Sequence, residues 1–204
     1  MGTLILIRHG QSVWNAENRF TGWVDTPLSA LGREEAQRAG RRLAAEGIRV
    51  DKAFTSTLRR AIDTGRTVLD ELGQADLEQV QAWELNERFY GALTGRDKAQ
   101  TAEEFGADQV KIWRRSYDIP PPGGESLKDT TNRTLPYFRA VVLPEAQRDQ
   151  VVLVAAHGNS LRAIVKELDA LDDEGIIGVE IGTAVPLVYT IAEDGSVKDK
   201  RILE

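Results

Sequence analysis

Two apolar runs in this chain end in the same way. Leu4–Ile7 stops at Arg8-His9-Gly10, and Val151–Ala156 stops at His157-Gly158. Each is short, unbroken and rich in branched residues, which is the pattern of a strand buried on both faces. A sheet covered on both faces needs helices on both sides, so these runs constrain the fold more than any other feature. The chain has only two histidines, and both occupy this strand-then-glycine position. In parallel α/β sheets, ligands bind at the carboxyl ends of the strands. The sequence therefore places His9 and His157 on one rim.

The rest of the pattern alternates accordingly. Ser29 caps a predicted helix to about Glu46, with Leu31, Ala36, Ala39 and Leu43 on its inner face and Gly47 ending it. Val50–Thr55 reads as a strand. Leu58–Leu72 reads as a helix with Ala61, Val68, Leu69 and Leu72 inward, and Leu77–Trp83 as extended chain anchored by Leu77, Val80 and Trp83. Residues from about 85 to 125 are rich in charge, aromatics and glycine. They read as a polar insertion with short helices near Lys98–Glu104 and Asp108–Tyr117. The loop Asp118–Ser126 leads into a helix capped by Ser126 and reaching about Leu143, with Pro136 as a kink. Strand Val151–Ala156, helix Asn159–Leu168 and strand Val185–Ile191 complete the set. No repeat or linker divides the chain. The expectation is one α/β domain over residues 1–204, with a mostly parallel central sheet flanked by helices and a helical insertion over the site.

The chemistry sits at the rim. Arg8 offers a bidentate fork for phosphate, and Gly10 allows a sharp turn and close approach of a ligand. A neutral imidazole at His9 can attack phosphorus. His157 supplies a donor for developing charge, and Gly158 and Asn159 open a helix whose N-terminus suits an anion. Arg59 and Arg60 follow the second strand, and one of them should face the rim. Glu87, Arg88 and Tyr90 share a tight loop ending at Gly91, where a carboxyl with a raised pKa could act as general acid or base. Lys98, Arg114 and Arg115 lie in the insertion. Taken singly, each of these has an ordinary surface reading; the constellation does not.

Exclusions follow from composition. There are no cysteines, so thiolate chemistry and disulfides are out. No Gly-rich loop ending in Gly-Lys-Ser/Thr appears, and no carboxylate cluster has metal-ligand spacing, which favours a metal-free mechanism. The net charge of -6 argues against a nucleic-acid partner. No apolar run approaches the roughly 20 residues of a membrane span, and no signal peptide is visible, so cytoplasm is the expected location.

The segments LIRHGQSVWN, RFTGW, TSTLRRA, LNERFYGALTG, WRRS, GGESL and AAHGNSLR together resemble the cofactor-dependent phosphoglycerate mutases of the histidine phosphatase superfamily. The resemblance covers nearly the whole chain. It implies interconversion of 3- and 2-phosphoglycerate, in glycolysis and gluconeogenesis, through a phosphohistidine primed by 2,3-bisphosphoglycerate. It implies His9 as nucleophile, Glu87 as proton donor and acceptor, and His157 as transition-state stabiliser. Arg8, Asn15 and Arg59 match its phosphate pocket. Ser12, Thr21, Gly22, Tyr90, Lys98, Arg114, Arg115 and Asn159 match the groups that hold the rest of the substrate. The rival readings are a phosphatase of the same superfamily acting on small phosphate monoesters, a bisphosphoglycerate synthase, and a non-catalytic phospholigand-binding module. Many relatives carry a longer segment where this chain has Asp118–Ser126. That difference and the short tail leave closure of the site and homo-oligomer formation open.

Overall fold

The computed structural model describes residues 1–204. Its centre is β1 (Gly2–Arg8), apolar and buried from Leu4 to Ile7, with parallel β4 (Val151–Ala156) on one side and antiparallel β5 (Leu187–Ile191) on the other. Beyond β4 run β2 (Lys52–Thr55) and β3 (Gln79–Gln81), both parallel, and β6 (Val197–Ile202) closes the other edge beside β5. The order is β3-β2-β4-β1-β5-β6, a single six-stranded, mostly parallel sheet.

Alternation along the strands feeds two cores. Leu4, Leu6, Val152 and Val154 pack with Phe138, Leu161 and Ile164 on one face. Ile5, Ile7 and Leu153 pack with Ala39, Leu43, Val68 and Leu69 on the other. Both faces are covered, which is why β1 and β4 read as continuous apolar runs.

On one side lie α2 (Ala30–Ala45) and α3 (Arg59–Glu71); α6 (Leu127–Tyr137) and α8 (Gly158–Leu168) cover the other. Ser29 caps α2 by accepting from the Gly32 amide, as expected. Ser126 caps α6 in a reciprocal box with Asp129. A single helical turn, α1 (Val13–Ala16), follows the first histidine, and α7 (Leu143–Gln147) precedes β4. The insertion contributes α4 (Lys98–Phe105) and α5 (Ala107–Arg115), and Val110 joins Phe20 and Leu93 in a small separate core.

Four details differ from the sequence pattern. Leu31 is exposed on α2, because the first turn of the helix overhangs the sheet. Val80 and Trp83 are exposed, since β3 is a three-residue edge strand with little to cover it. The helix from Ser126 does not stop near Leu143. After Pro136 it widens into a π-helical stretch, Phe138–Val142, and runs on as α7. Proline cannot close its own i−4 bond, and a wider turn accommodates the gap. β6 carries four charged residues in six and gave no apolar signal; it forms by hairpin pairing with β5.

Candidate active site

Register brings the two histidines together. Arg8 pairs with Ala156 at the ends of β1 and β4, and the His9 amide donates to the Ala156 carbonyl at 2.9 Å. His9 and His157 are the next residues on each strand. Their rings lie 4.9 Å apart, centroid to centroid, and both are buried.

Each ring has a defined role. The His9 Nδ1–H donates to the Gly10 carbonyl at 2.6 Å, and a carbonyl can only accept. That bond leaves Nε2 as the nitrogen with a free lone pair. Burial lowers the pKa of His9 well below its ordinary value, and the charges of Arg60 and Arg8 lower it further, against the opposing Gly10 bond. His9 is thus neutral and nucleophilic at pH 7. His157 is likewise depressed, first by burial and then by Arg60. Its Nε2 lies 2.7 Å from Ser56 Oγ, which itself accepts from the Leu58 amide at 3.2 Å. Ser56 can give its own proton to Nε2, and a neutral His157 paired in that sense carries its proton on Nδ1. That Nδ1 is buried without a partner, as a donor awaiting an anion would be. Ser56 was not singled out in the sequence; only its place at the end of β2 marks it.

Gly10 is needed for a different reason than a ligand's approach. A Cβ there would sit 2.2 Å from the Gly32 carbonyl oxygen, so the glycine lets α2 close against the turn after β1. Ser12 and Asn15 form a reciprocal cap on α1 beside this turn.

The arginine after β2 that reaches the site is Arg60, not Arg59. Arg59 is 55% exposed and faces Asp63 one helical turn away. Arg60 is 1% exposed and donates to the carbonyls of Gly22 at 2.7 Å and Val24 at 2.9 Å. It is the largest cationic influence on both histidines. Helical phase decides this: one residue along α3 turns the side chain from solvent to the rim. Gly22 sits at φ +56°, so its carbonyl can turn toward Arg60. Thr21 beside it has a buried hydroxyl with no partner.

Glu87 enters from the loop after β3. Its Oε1 accepts from the Arg88 amide (2.7 Å), the Asn159 side-chain amide (2.8 Å) and the Asn159 backbone amide (3.2 Å). Burial pushes its pKa up, but these bonds and the charges of Arg60 and Arg8 outweigh burial and leave it lowered. The condition named from the sequence, a raised pKa, is not met: Glu87 is a carboxylate, suited to take a proton rather than to hold one. The loop is fixed by Arg133 of α6, which donates to the carbonyls of Glu84 (2.9 Å), Asn86 (3.1 Å) and Glu87 (3.0 Å) while paired with Glu125. Trp23 Nε1 also donates to the Glu87 carbonyl, at 2.5 Å. Arg133 had no sequence signal, because its partners are backbone atoms about 46 to 49 positions away.

Next to the histidines, bordered by their neighbours Arg8 and Gly158 though by neither ring, lies a cleft of about 240 Å³. Arg8, Glu87, Gly158 and Asn159 line its inner end; Lys98, Arg114 and Arg115 line the insertion side. Arg88 and Tyr90 also border it, but Arg88 is largely committed to structure. Its guanidinium donates to the carbonyls of Trp113 and Arg114, tying α5 to the Glu87 loop. Burial pushes the Tyr90 hydroxyl pKa up, yet Arg88 and Lys98 bring it below its ordinary value. Arg162, Glu180 and Ile181 complete the lining and were not anticipated. Six cationic side chains against two carboxylates make this cleft basic on an acidic protein. No group of three or more His, Cys, Asp or Glu is placed to hold a metal ion.

Comparison with known proteins gives the family. The model of the histidine phosphatase superfamily (branch 1) matches residues 4–200. A 2,3-bisphosphoglycerate-dependent phosphoglycerate mutase of Methylobacterium sp. (strain 4-46) is 55% identical over 98% of this chain and 97% of its own length. One of the same name from Chelativorans sp. (strain BNC1) is 53% identical over 100% and 98%. Among solved structures, a mycobacterial glucosyl-3-phosphoglycerate phosphatase in complex with VO3 superposes with a TM-score of 0.83. It shares 28% identity over 99% of this chain and 97% of that one.

Proposed function

The chain belongs to the histidine phosphatase superfamily, and within that membership we propose that it is a 2,3-bisphosphoglycerate-dependent phosphoglycerate mutase, interconverting 3- and 2-phosphoglycerate through a phosphohistidine at His9. The observation that carries this reading is the two-ended cationic lining of the cleft. A phosphatase needs cations only where phosphate meets His9. Arg114, Arg115 and Lys98 at the other end suit a substrate that stays bound between two transfers.

The residues divide the work as follows. His9 Nε2 attacks phosphorus, the P–O bond to the donor oxygen breaks, and that oxygen leaves with the proton that the Glu87 carboxylate took from the substrate hydroxyl in the preceding transfer, or from solvent when the enzyme is first primed. In the reverse sense, the Glu87 carboxylate takes the proton of a substrate hydroxyl, the oxygen attacks the phosphohistidine, and the P–N bond returns its electrons to Nε2. Arg8, Arg60 and His157 Nδ1–H face the charge that builds on the transferring group. The buried, unpartnered Nε of Arg8 and Nδ1 of His157, at the ends of β1 and β4, suit donation to a bound phosphate. 2,3-Bisphosphoglycerate supplies the phosphoryl group that first charges His9. Its two phosphates and carboxylate match the cations at the two ends of the cleft. Isomerisation then requires the doubly phosphorylated glycerate to turn round without escaping, which Lys98, Arg114 and Arg115 oppose. These cations neutralise the phosphates, so the mechanism needs no metal. The pathway role is glycolytic and gluconeogenic, in the cytoplasm.

The phosphatase reading retains one supporting observation: several of the solved structures that this fold resembles are named as phosphatases, at 26% to 28% identity. It shares His9, Arg8, Arg60 and His157 and differs in the acceptor. Labelling tests the covalent step that both readings require. Protein treated with labelled 2,3-bisphosphoglycerate should carry acid-labile phosphate on His9 and none in His9→Ala. Label retained in His9→Ala would reverse the roles of the histidines.

A further inference from the structure

One acid stands among the cations at the far end of the cleft. Glu180 Oε1 lies 2.9 Å from Arg115 Nη1, and its Oε2 lies 3.7 Å from Arg162 Nη2. We propose that Arg162, with Arg115, forms an anion subsite of the cleft, and that Glu180 is an internal counter-ion which the substrate's remote anionic group displaces. The proposal deepens the mutase reading and rests on it for the identity of the ligand.

Arg162 is built for this place. It projects from α8, and its side chain is only 14% exposed. Nε donates to the Val179 carbonyl at 2.9 Å, and Nη1 to Asn159 Oδ1 at 3.3 Å. Nη2 has no hydrogen-bond partner, since 3.7 Å to Glu180 is too long for one. A guanidinium held by two of its nitrogens and facing an anion-binding cleft with the third is a preorganised donor. Burial and the neighbouring charge of Arg115 both disfavour its charged form, so a further anion would be welcome there.

Glu180 is suited to leave. Its side chain is 69% exposed, and an exposed ion pair is weak. Its backbone is not free, because the Val179 carbonyl is held by Arg162 and the Ile181 carbonyl accepts from Arg8 Nη1 at 2.9 Å. Only the side chain has to swing. Arg162 is also linked to the reacting end. Asn159 accepts from it through Oδ1 and donates through Nδ2 to Glu87 Oε1. Glu180 makes no such link, so its removal should alter binding and leave the chemical step alone.

The test is calorimetric titration of the full chain with 3-phosphoglycerate, glycerol 3-phosphate and inorganic phosphate, alongside steady-state kinetics. Glu180→Gln should bind 3-phosphoglycerate about two- to five-fold more tightly, the range an exposed ion pair spans. Its KM should fall with kcat unchanged, and inorganic phosphate, which needs only the His9 end, should bind as before. Arg162→Met should weaken 3-phosphoglycerate binding, and the Glu180→Gln gain should vanish when Arg115 and Arg162 are both methionine. A loss in Arg162→Met seen with 3-phosphoglycerate but not with glycerol 3-phosphate assigns the subsite to the carboxylate; equal losses assign it to phosphate. Unchanged or weaker binding in Glu180→Gln, or a gain that persists without the two arginines, overturns the proposal. Tighter binding by a protein that hydrolyses rather than isomerises would defeat the mutase reading and keep the subsite. Isomerisation with unaltered binding in Glu180→Gln would defeat the subsite alone.

Discussion

The two buried histidines make stability depend on pH in a window where few other side chains titrate. Both are held neutral, with pKa values well below 6.5, chiefly by burial. In the unfolded chain each regains a pKa of about 6.5. Below that value the unfolded state binds more protons than the folded state, so acidification favours unfolding. The stabilisation is present above about pH 6.5 and is lost as pH falls toward the folded values. Between pH 7.0 and 5.5 the linkage relation gives about 1.25 kcal/mol per histidine, or about 2.5 kcal/mol for the pair. Glu87 adds nothing in this range. Its folded pKa is lowered, so its contribution is present above the ordinary carboxylate range and fades only below it. Urea unfolding at the two pH values reads the effect directly. With a slope of about 2 kcal/mol per molar, the midpoint should fall by about 1 M. His9→Gln should show about half that shift, because one titrating group remains. A midpoint that does not move between pH 7.0 and 5.5, or a folded-state histidine titrating near 6.5 by NMR, would refute the assignment of both rings as buried and neutral.

Arg60→Ala should lower kcat by about 10²–10³, the usual cost of losing one preorganised donor to a transition-state oxyanion; Arg59→Ala should stay near wild type, and the reverse result would restore Arg59 to the site. Glu87→Gln keeps the Asn159 contact in shape but cannot accept a proton, so transfer should slow by about 10²–10⁴-fold while substrate still binds. Near-full turnover in that variant would send the search for the base elsewhere. Ser56→Ala should lower kcat more than it changes KM and shift the acid limb of the pH–rate profile, because the His157 tautomer is no longer set; Ser56→Thr should recover much of the loss. An unaltered profile in Ser56→Ala would make Ser56 a mere space-filler.

The sheet was legible because β1 and β4 are buried on both faces and so carry unbroken apolar runs, Leu4–Ile7 and Val151–Ala156, each with a histidine just beyond its strand's end. β6 was invisible for the opposite reason: it is charged and exposed, and only its partner β5 makes it a strand. At the site, His9, His157 and Glu87 were readable from local grammar and from resemblance. The choice between Arg59 and Arg60 was not, since adjacent residues of one helix differ by about 100° of phase and the sequence sets that phase only loosely near a first turn. The direction of the Glu87 pKa could not be read from the sequence, because its donors include the Asn159 amides, 72 positions away. Ser56 and Arg162 lie inside the segments TSTLRRA and AAHGNSLR and Arg133 in none, but all three act through backbone atoms or single long-range contacts that no local pattern reveals.

The most direct test of the central claim is product analysis with 3-phosphoglycerate, with and without a trace of 2,3-bisphosphoglycerate. The account predicts 2-phosphoglycerate as the main product, little free phosphate, and strong stimulation by the bisphosphate. Free phosphate and glycerate appearing in place of 2-phosphoglycerate, at a rate indifferent to the bisphosphate, would contradict it and make the protein a phosphatase.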